Sequence, residues 1–184
     1  MIKKRNVFWI AFFLILFIIS LKFDEQIMQL LFGIRNYYLT QFLIGVVFLS
    51  SDILIFFVLT TLFLWSEKKR RWIFPLWLTM FFSVIVSYGL KIIFQRSRPF
   101  EAGVVEAILI ESFSKWNYSF PSFQSMLVFS ALPILSKEFP RLKYFWIFFA
   151  VCVAFSRIYF GVHYFSDVLA GALIGLGIGV FIVH

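Results

Sequence analysis

Charge is scarce in this sequence, and acidic charge scarcest of all. Only 14% of the 184 residues are charged, with 9 Asp and Glu against 17 Lys and Arg, while 62% are hydrophobic. A soluble domain of this length needs a largely polar exterior, so a soluble globular protein is excluded. The single cysteine, Cys152, rules out an intrachain disulfide. It lies inside an apolar run, reads as a small packing residue, and says nothing about redox compartment. No small-residue cleavage site follows the first apolar run, Val7 to Leu21; the chain continues Lys22-Phe23-Asp24-Glu25. That run is therefore expected to be a retained transmembrane helix rather than a signal peptide. Long-period repeats and low-complexity tracts are also missing.

What is abundant is aromatic and aliphatic. Phe occurs 28 times and aromatics reach 22%, which suits side chains facing lipid and the headgroup belt. At about 20 apolar residues per crossing, six spans are expected, near 7–22, 51–66, 72–94, 121–136, 142–157 and 163–183. Between the first two, Ile27, Leu30, Leu31 and Ile34 repeat at helical spacing, with Asp24, Glu25, Gln26 and Gln29 elsewhere on the wheel. That pattern predicts an amphipathic helix lying in the interface plane. The apolar stretch 39–49 reads as a second interfacial helix or as an extension of the second span. The expected fold is thus all-α: an integral membrane six-helix bundle with one or two interfacial helices, forming a single domain over 1–184.

The net charge of +8 points to topology rather than to nucleic acid, because most basic residues sit in short clusters between apolar runs. Lys3, Lys4 and Arg5 form one cluster, Lys68 to Arg71 a second, and Lys137, Arg141 and Lys143 a third. Six spans bring all three to one side, which the positive-inside rule makes cytoplasmic, together with both termini. The other side then carries the long loop 96–120 and the short loop 158–162. A loop as long as the first is usually functional.

Lys91, Arg96 and Arg98 at the outer end of the third span and Arg157 at the outer end of the fifth lie on the side that the charge rule disfavours. Cations held there need a reason, and anion binding supplies one. Arg96 reads equally as a surface charge. Pro121-Ser122-Phe123-Gln124 opens the fourth span, so a helix N-terminus offers free N–H groups and the Ser122 hydroxyl to a phosphate. His163 and Asp167 are four apart at the start of the sixth span, one turn apart on one helix face. A carboxylate there holds one imidazole nitrogen and leaves the other aimed at a substrate. These parts make a phosphoryl-transfer site with a histidine nucleophile, in which Lys91, Arg98, Arg157 and the Ser122 and Phe123 amides neutralise the equatorial oxygens. The cations already perform the charge stabilisation, so no metal or other cofactor is expected. Glu101, Glu106 and Glu111 share no helix face and read as a solvated loop, not as a metal site.

The sequence resembles the type 2 phosphatidic acid phosphatase family of membrane lipid phosphatases. The resemblance rests on Lys91-x6-Arg98-Pro99, on Pro121-Ser122, and on Ser156-Arg157-x5-His163-x3-Asp167. It implies His163 as nucleophile, Asp167 as its partner, and Lys91, Arg98, Ser122 and Arg157 on phosphate. It also implies a lipid phosphate or diphosphate substrate and a site facing the periplasm in a bacterial inner membrane. The second part departs from the family, which reads Pro-Ser-Gly-His there, the His protonating the leaving group. Here Gln124 stands in that place and has no acid proton to give, though its amide can hydrogen-bond an oxygen.

Three consequences compete. The substrate has a better leaving group, as in undecaprenyl diphosphate or lipid A 1-phosphate, with phosphatidylglycerol phosphate and phosphatidic acid fitting less well. Alternatively Glu111, Lys115 or Tyr118 supplies the proton, or the protein binds phosphate without turnover. A phosphotransferase with a second lipid as acceptor is the alternative enzyme. Phe123 in place of Gly is expected to narrow the approach to the phosphate-binding amides. Gly171, Gly175 and Gly179 form a small-residue stripe suited to close packing inside the bundle, with dimerisation as the other use; oligomeric state is open.

Overall fold

A computed structural model of the chain describes residues 4–108 and 117–183, with side chains from residue 15 onward. Lys3, Glu111, Lys115, Trp116 and His184 lie outside the described residues. Within them the chain is all-helical: α1 (Lys4–Gly33), α2 (Tyr37–Leu49), α3 (Asp52–Leu64), a 3-10 turn (Glu67–Trp72), α4 (Ile73–Phe94), α5 (Phe123–Ser130), α6 (Leu132–Glu138), α7 (Leu142–Tyr159) and α8 (Phe165–Val183).

The first departure from expectation is α1. It runs unbroken for 30 residues, about 45 Å at the α-helical rise, so no separate interfacial helix forms over 24–34. Its polar face is outward only in part: Glu25, Gln26 and Gln29 are exposed as expected, but Asp24 is not. Leu30 and Ile34 point outward, whereas Asp24 is buried at 3% exposure beside Met28 at 1%. In lipid the apolar side chains belong outside, and a carboxylate survives only where partners inside the bundle satisfy it.

The stretch 39–49 falls in α2, capped by Asn36, whose side chain accepts the Leu39 N–H at 3.0 Å. The pair α2 and α3 breaks at Ser50-Ser51 and bends by 63°. The fourth expected span also divides, at Ala131. Pro133, at the start of α6, has no N–H to continue the helical ladder from α5. Among the described residues, three helical stretches are long and apolar enough to cross a membrane: Glu67–Phe94, α7 and α8. They become four if α2 and α3 count as one bent span. Six is not reached by that measure: α3 and α5 have only 13 and 8 residues, and the side chains of α1 are described only from residue 15.

The two basic clusters at 68–71 and 137–143 meet at one end of the bundle. Lys69 Nζ donates to the Glu138 carbonyl at 2.5 Å and lies 3.5 Å from the Phe139 ring centroid. Lys137 lies 4.6 Å from the Trp72 ring. Lys91 is in the last turn of α4, at the opposite end.

Packing centres on α8, whose glycine stripe presses on α5 and α6. A Cβ added at Gly171 would lie 2.4 Å from the Ser122 carbonyl oxygen. At Gly175 it would lie 2.2 Å from the Met126 oxygen, and at Gly179 2.2 Å from the Ser130 oxygen. The stripe is thus used inside the bundle, backbone against backbone. Around it, Ile55, Leu59 and Phe63 of α3, Leu76 of α4, Val128 of α5 and Val153 of α7 form the main apolar core.

Gly175→Ala should therefore lower stability by about 1–3 kcal/mol through overpacking, seen as a drop in melting temperature in detergent micelles. Gly177→Ala is the control: nothing stands within 4 Å of its Cβ position, and it should leave the melting temperature unchanged or raise it.

Candidate active site

The site forms where α4, α5, α7 and α8 end together. Gln95 closes α4 in the left-handed conformation, φ 43°, and turns the chain so that Arg96 and Arg98 follow Lys91 around the same corner. Lys91 is buried, and its ammonium donates to the Tyr118 carbonyl. Arg98 is 1% exposed. Its Nε donates to the Asn117 carbonyl at 2.9 Å and its Nη1 to the Val162 carbonyl at 2.7 Å, while its own N–H reaches Glu101 Oε2 at 2.8 Å. Glu101, exposed to solvent as expected, thereby also shapes this loop.

Ser122 occupies the N-cap position of α5, fully buried, and its N–H donates to the Asp167 carbonyl at 3.0 Å. The next amides, of Phe123 and Gln124, open the helix and have no intrahelical acceptor. Phe123 is only partly buried. It packs against the main core, since an aromatic ring gains more there than beside polar amides. Gln124 is half-buried on the first turn.

Arg157, in the last turn of α7, is 3% exposed. Its carbonyl accepts the N–H groups of both Val162 and His163 at 3.2 Å. Gly161 makes that turn possible at φ 76°, where Val105 and Arg35 leave little room for a side chain. Arg35 fastens the same corner from the link between α1 and α2, donating through Nε to the Tyr159 carbonyl at 2.9 Å and through Nη1 to the Glu106 carbonyl at 2.7 Å. Nothing in its spacing marked Arg35 out.

His163 and Asp167 do not share a helix face as the spacing predicted, because α8 begins at Phe165 and His163 lies in the turn before it. The turn still brings them together. His163 Nδ1 is 3.7 Å from Asp167 Oδ2, beyond hydrogen-bond reach. On the other edge of the ring, Nε2 is 3.3 Å from Arg98 Nη1. A guanidinium only donates, so Nε2 accepts, and the imidazole proton resides on Nδ1, facing the carboxylate. Asp167 itself is completely buried. Oδ2 accepts from the Ser119 hydroxyl and from the Tyr164 N–H at 2.9 Å, and Oδ1 accepts from Arg96 Nη1 at 2.7 Å.

Arg96 is not a plain surface charge. Its other nitrogen, Nη2, reaches Asp24 Oδ2 at 2.8 Å, and Asp24 in turn accepts the Ser166 N–H at 2.9 Å and the Ser166 hydroxyl at 2.5 Å. Burial works against charge on Arg96, yet the carboxylates of Asp167 and Asp24 outweigh it and hold the guanidinium above its ordinary range. Sequence reasoning missed Asp24, Ser119 and Ser166. The one usable signal was a carboxylate at position 24, within reach of an apolar helix, where an unpaired charge is costly.

Lys91, Arg98, Ser122, Arg157, His163 and Asp167, all named from the sequence, thus gather at one end of the bundle. Cations, a helix N-terminus and an oriented imidazole at such a place suit a tetrahedral or five-coordinate anion.

Comparison with known proteins agrees. The PAP2 superfamily profile matches residues 72–184. An undecaprenyl-diphosphatase of Sulfolobus acidocaldarius is 31% identical over 119 residues, covering 63% of this chain and 56% of that relative; the match thus spans little more than half the relative's length. Two crystal structures superpose well. A transmembrane PAP2-type phosphatidylglycerolphosphate phosphatase from Bacillus subtilis covers 100% of this chain and 95% of its own, with a TM-score of 0.77 and 25% identity. LpxE from Aquifex aeolicus covers 87% and 94%, with a TM-score of 0.70 and 28% identity.

The buried imidazole carries a pH dependence. Burial, with Arg98 and Lys91 adding to it against the opposing pull of Asp167, drives His163 down to about 3. In the unfolded chain it takes its proton at about 6.5. Stability that depends on a neutral His163 is therefore present above about 6.5 and lost as pH falls toward 3, by up to about 1.4 kcal/mol per pH unit. Thermal melts between pH 7.5 and 4.5 should show a smaller acid-induced loss in His163→Gln than in the native chain.

Proposed function

The chain belongs to the PAP2 superfamily, and we propose that it is a multi-pass membrane lipid phosphatase working through a phosphohistidine. The observation that carries this reading is the setting of His163. Its Nε2 faces Arg98, its Nδ1–H faces Asp167, and the opening amides of α5 are joined to the same carboxylate-bearing residue through Ser122.

With substrate bound, the terminal phosphoryl group takes the place between Nε2 and Arg98. Nε2 attacks phosphorus, the N–P bond forms, and the P–O bond to the lipid breaks, the leaving oxygen taking the electron pair. Lys91, Arg98, Arg157 and the Phe123 amide stabilise the three equatorial oxygens. Asp167 stabilises the positive charge that the imidazole ring acquires. Water then attacks phosphorus, the N–P bond breaks, and inorganic phosphate leaves. Because the side chains already present supply the positive charge, this route needs no metal.

The same reading assigns the topology. The basic end formed by 68–71 and 137–143 lies on the cytoplasmic side, the site faces the periplasm of a bacterial inner membrane, and both termini are cytoplasmic. α1 and the broken pair α5 and α6 complete six crossings.

Substrate preference follows from Gln124. A general acid is worth about 10²–10⁴-fold, so a site without one favours leaving groups that depart without protonation. Undecaprenyl diphosphate and lipid A 1-phosphate meet that condition; phosphatidylglycerol phosphate and phosphatidic acid meet it less well. The same Gln124 favours one competing reading, a phosphate-binding protein without turnover.

Phosphate release in mixed micelles decides between them. Undecaprenyl diphosphate and lipid A 1-phosphate should be cleaved faster than phosphatidic acid, vanadate should inhibit, and His163→Ala should lower turnover by about 10³-fold or more. No release by folded protein from these lipids or from phosphatidylglycerol phosphate would leave the binding reading. Release with no inorganic phosphate but a newly phosphorylated lipid would identify a transferase.

Restoring the acid tests the leaving-group argument by itself. Gln124→His should raise turnover of phosphatidic acid by about tenfold or more and turnover of the diphosphate much less. An equal or opposite response would exclude it.

A further inference from the structure

Asp24, Arg96 and Asp167 form a carboxylate–guanidinium–carboxylate bridge that joins the first helix of the chain to the nucleophile's partner. Arg96 spans the two acids with separate nitrogens, at 2.7 Å to Asp167 Oδ1 and 2.8 Å to Asp24 Oδ2. Its guanidinium carbon also lies 4.0 Å from the centre of the Tyr164 ring, which fixes its plane. Asp24 closes the circuit by accepting both the N–H and the hydroxyl of Ser166, the residue before Asp167, and that hydroxyl also receives Arg96 Nη1 at 2.7 Å.

The circuit explains how Asp167 is oriented. A carboxylate that must face an imidazole with one oxygen needs its other oxygen held, or it rotates about its terminal torsion. Here Oδ1 is held by Arg96, while Oδ2 is held by Ser119 and Tyr164 and faces His163 Nδ1. A buried ion pair is satisfied only when its remaining donors and acceptors are occupied as well. Asp24 meets that need for Arg96, and Ser166 meets it for Asp24.

We infer that Arg96 and Asp24 are positioning residues for the phosphoryl-transfer reaction. They lock Asp167, and through it the tautomer and aim of His163, without touching the transferred phosphate. The inference rests on the phosphatase reading above, and it assigns α1 a part in the site although α1 carries none of the motif residues.

A positioning role predicts that kcat falls while KM holds. Arg96→Gln should lower kcat by about 10²-fold, the scale of a misplaced reacting group, with KM changed less than about threefold. Asp24→Asn should lower kcat by about tenfold, and in the Arg96→Gln background should cost little more. Arg96→Lys keeps the charge but has one nitrogen for two carboxylates, so it should not restore activity.

A second readout does not need turnover. The chain has only two histidines, so a ¹⁵N-histidine NMR spectrum in micelles contains two imidazoles, and His163→Gln identifies which is which. The native chain should show His163 as a single tautomer with Nε2 unprotonated. Arg96→Gln and Asp24→Asn should turn it into a tautomer mixture. An unchanged His163 signal in Arg96→Gln would overturn the inference whatever turnover does, as would a loss confined to KM. If the native chain releases no phosphate, the phosphatase reading fails on that result while the His163 signal still decides the positioning role.

Discussion

Everything at the site depends on how closely α8 approaches α5. Three glycines at four-residue spacing remove the side chains that would keep the helices apart, and carbonyl oxygens of Ser122, Met126 and Ser130 fill the space where Cβ atoms would stand. The contact begins one turn after Asp167 and ends at the break between α5 and α6. Its upper end brings the Ser122 N–H to the Asp167 carbonyl. The N-terminus of α5 is thereby fixed to the residue whose carboxylate faces His163. In lipid, where water does not drive helices together, such close backbone packing is the main source of association.

The second constraint is electrostatic. A cluster of cations and carboxylates at the edge of an apolar bundle is costly unless each charge has partners on more than one side. The described residues meet this by sharing. Asp167 takes donors from the loop after α4, the loop before α5 and its own turn; Arg96 divides itself between two acids; Arg98 is held by two carbonyls besides His163. The outcome is a charge cluster whose members are held in place by partners from several elements. Burial there, with Arg98 and Lys91 nearby, also disfavours a charged His163 ring.

The motif residues were the most legible part of the sequence. Lys91, Arg98, Ser122, Arg157, His163 and Asp167 could be named because short spacings carry them and because cations on the outer side contradict the charge rule. Arg96 stood two residues from Arg98 with nothing to separate a surface charge from a bridge. Asp24 was read as the polar face of an interfacial helix. The pattern of Ile27, Leu30, Leu31 and Ile34 is the same for a helix lying on a membrane and for one standing in it with a buried carboxylate. Only the partner distinguishes them, and the partner is 72 residues away.

Composition, the order of apolar runs and the motif spacings determined an all-helical membrane protein of the PAP2 superfamily, since these depend on residues near one another in the chain. The tertiary structure decided where helices break, that α1 runs through as one piece, that Phe123 packs against the core, and that Asp24 and Arg96 join Asp167. Each of these is settled by competition for partners among segments far apart in sequence, and a linear pattern does not record which segment wins.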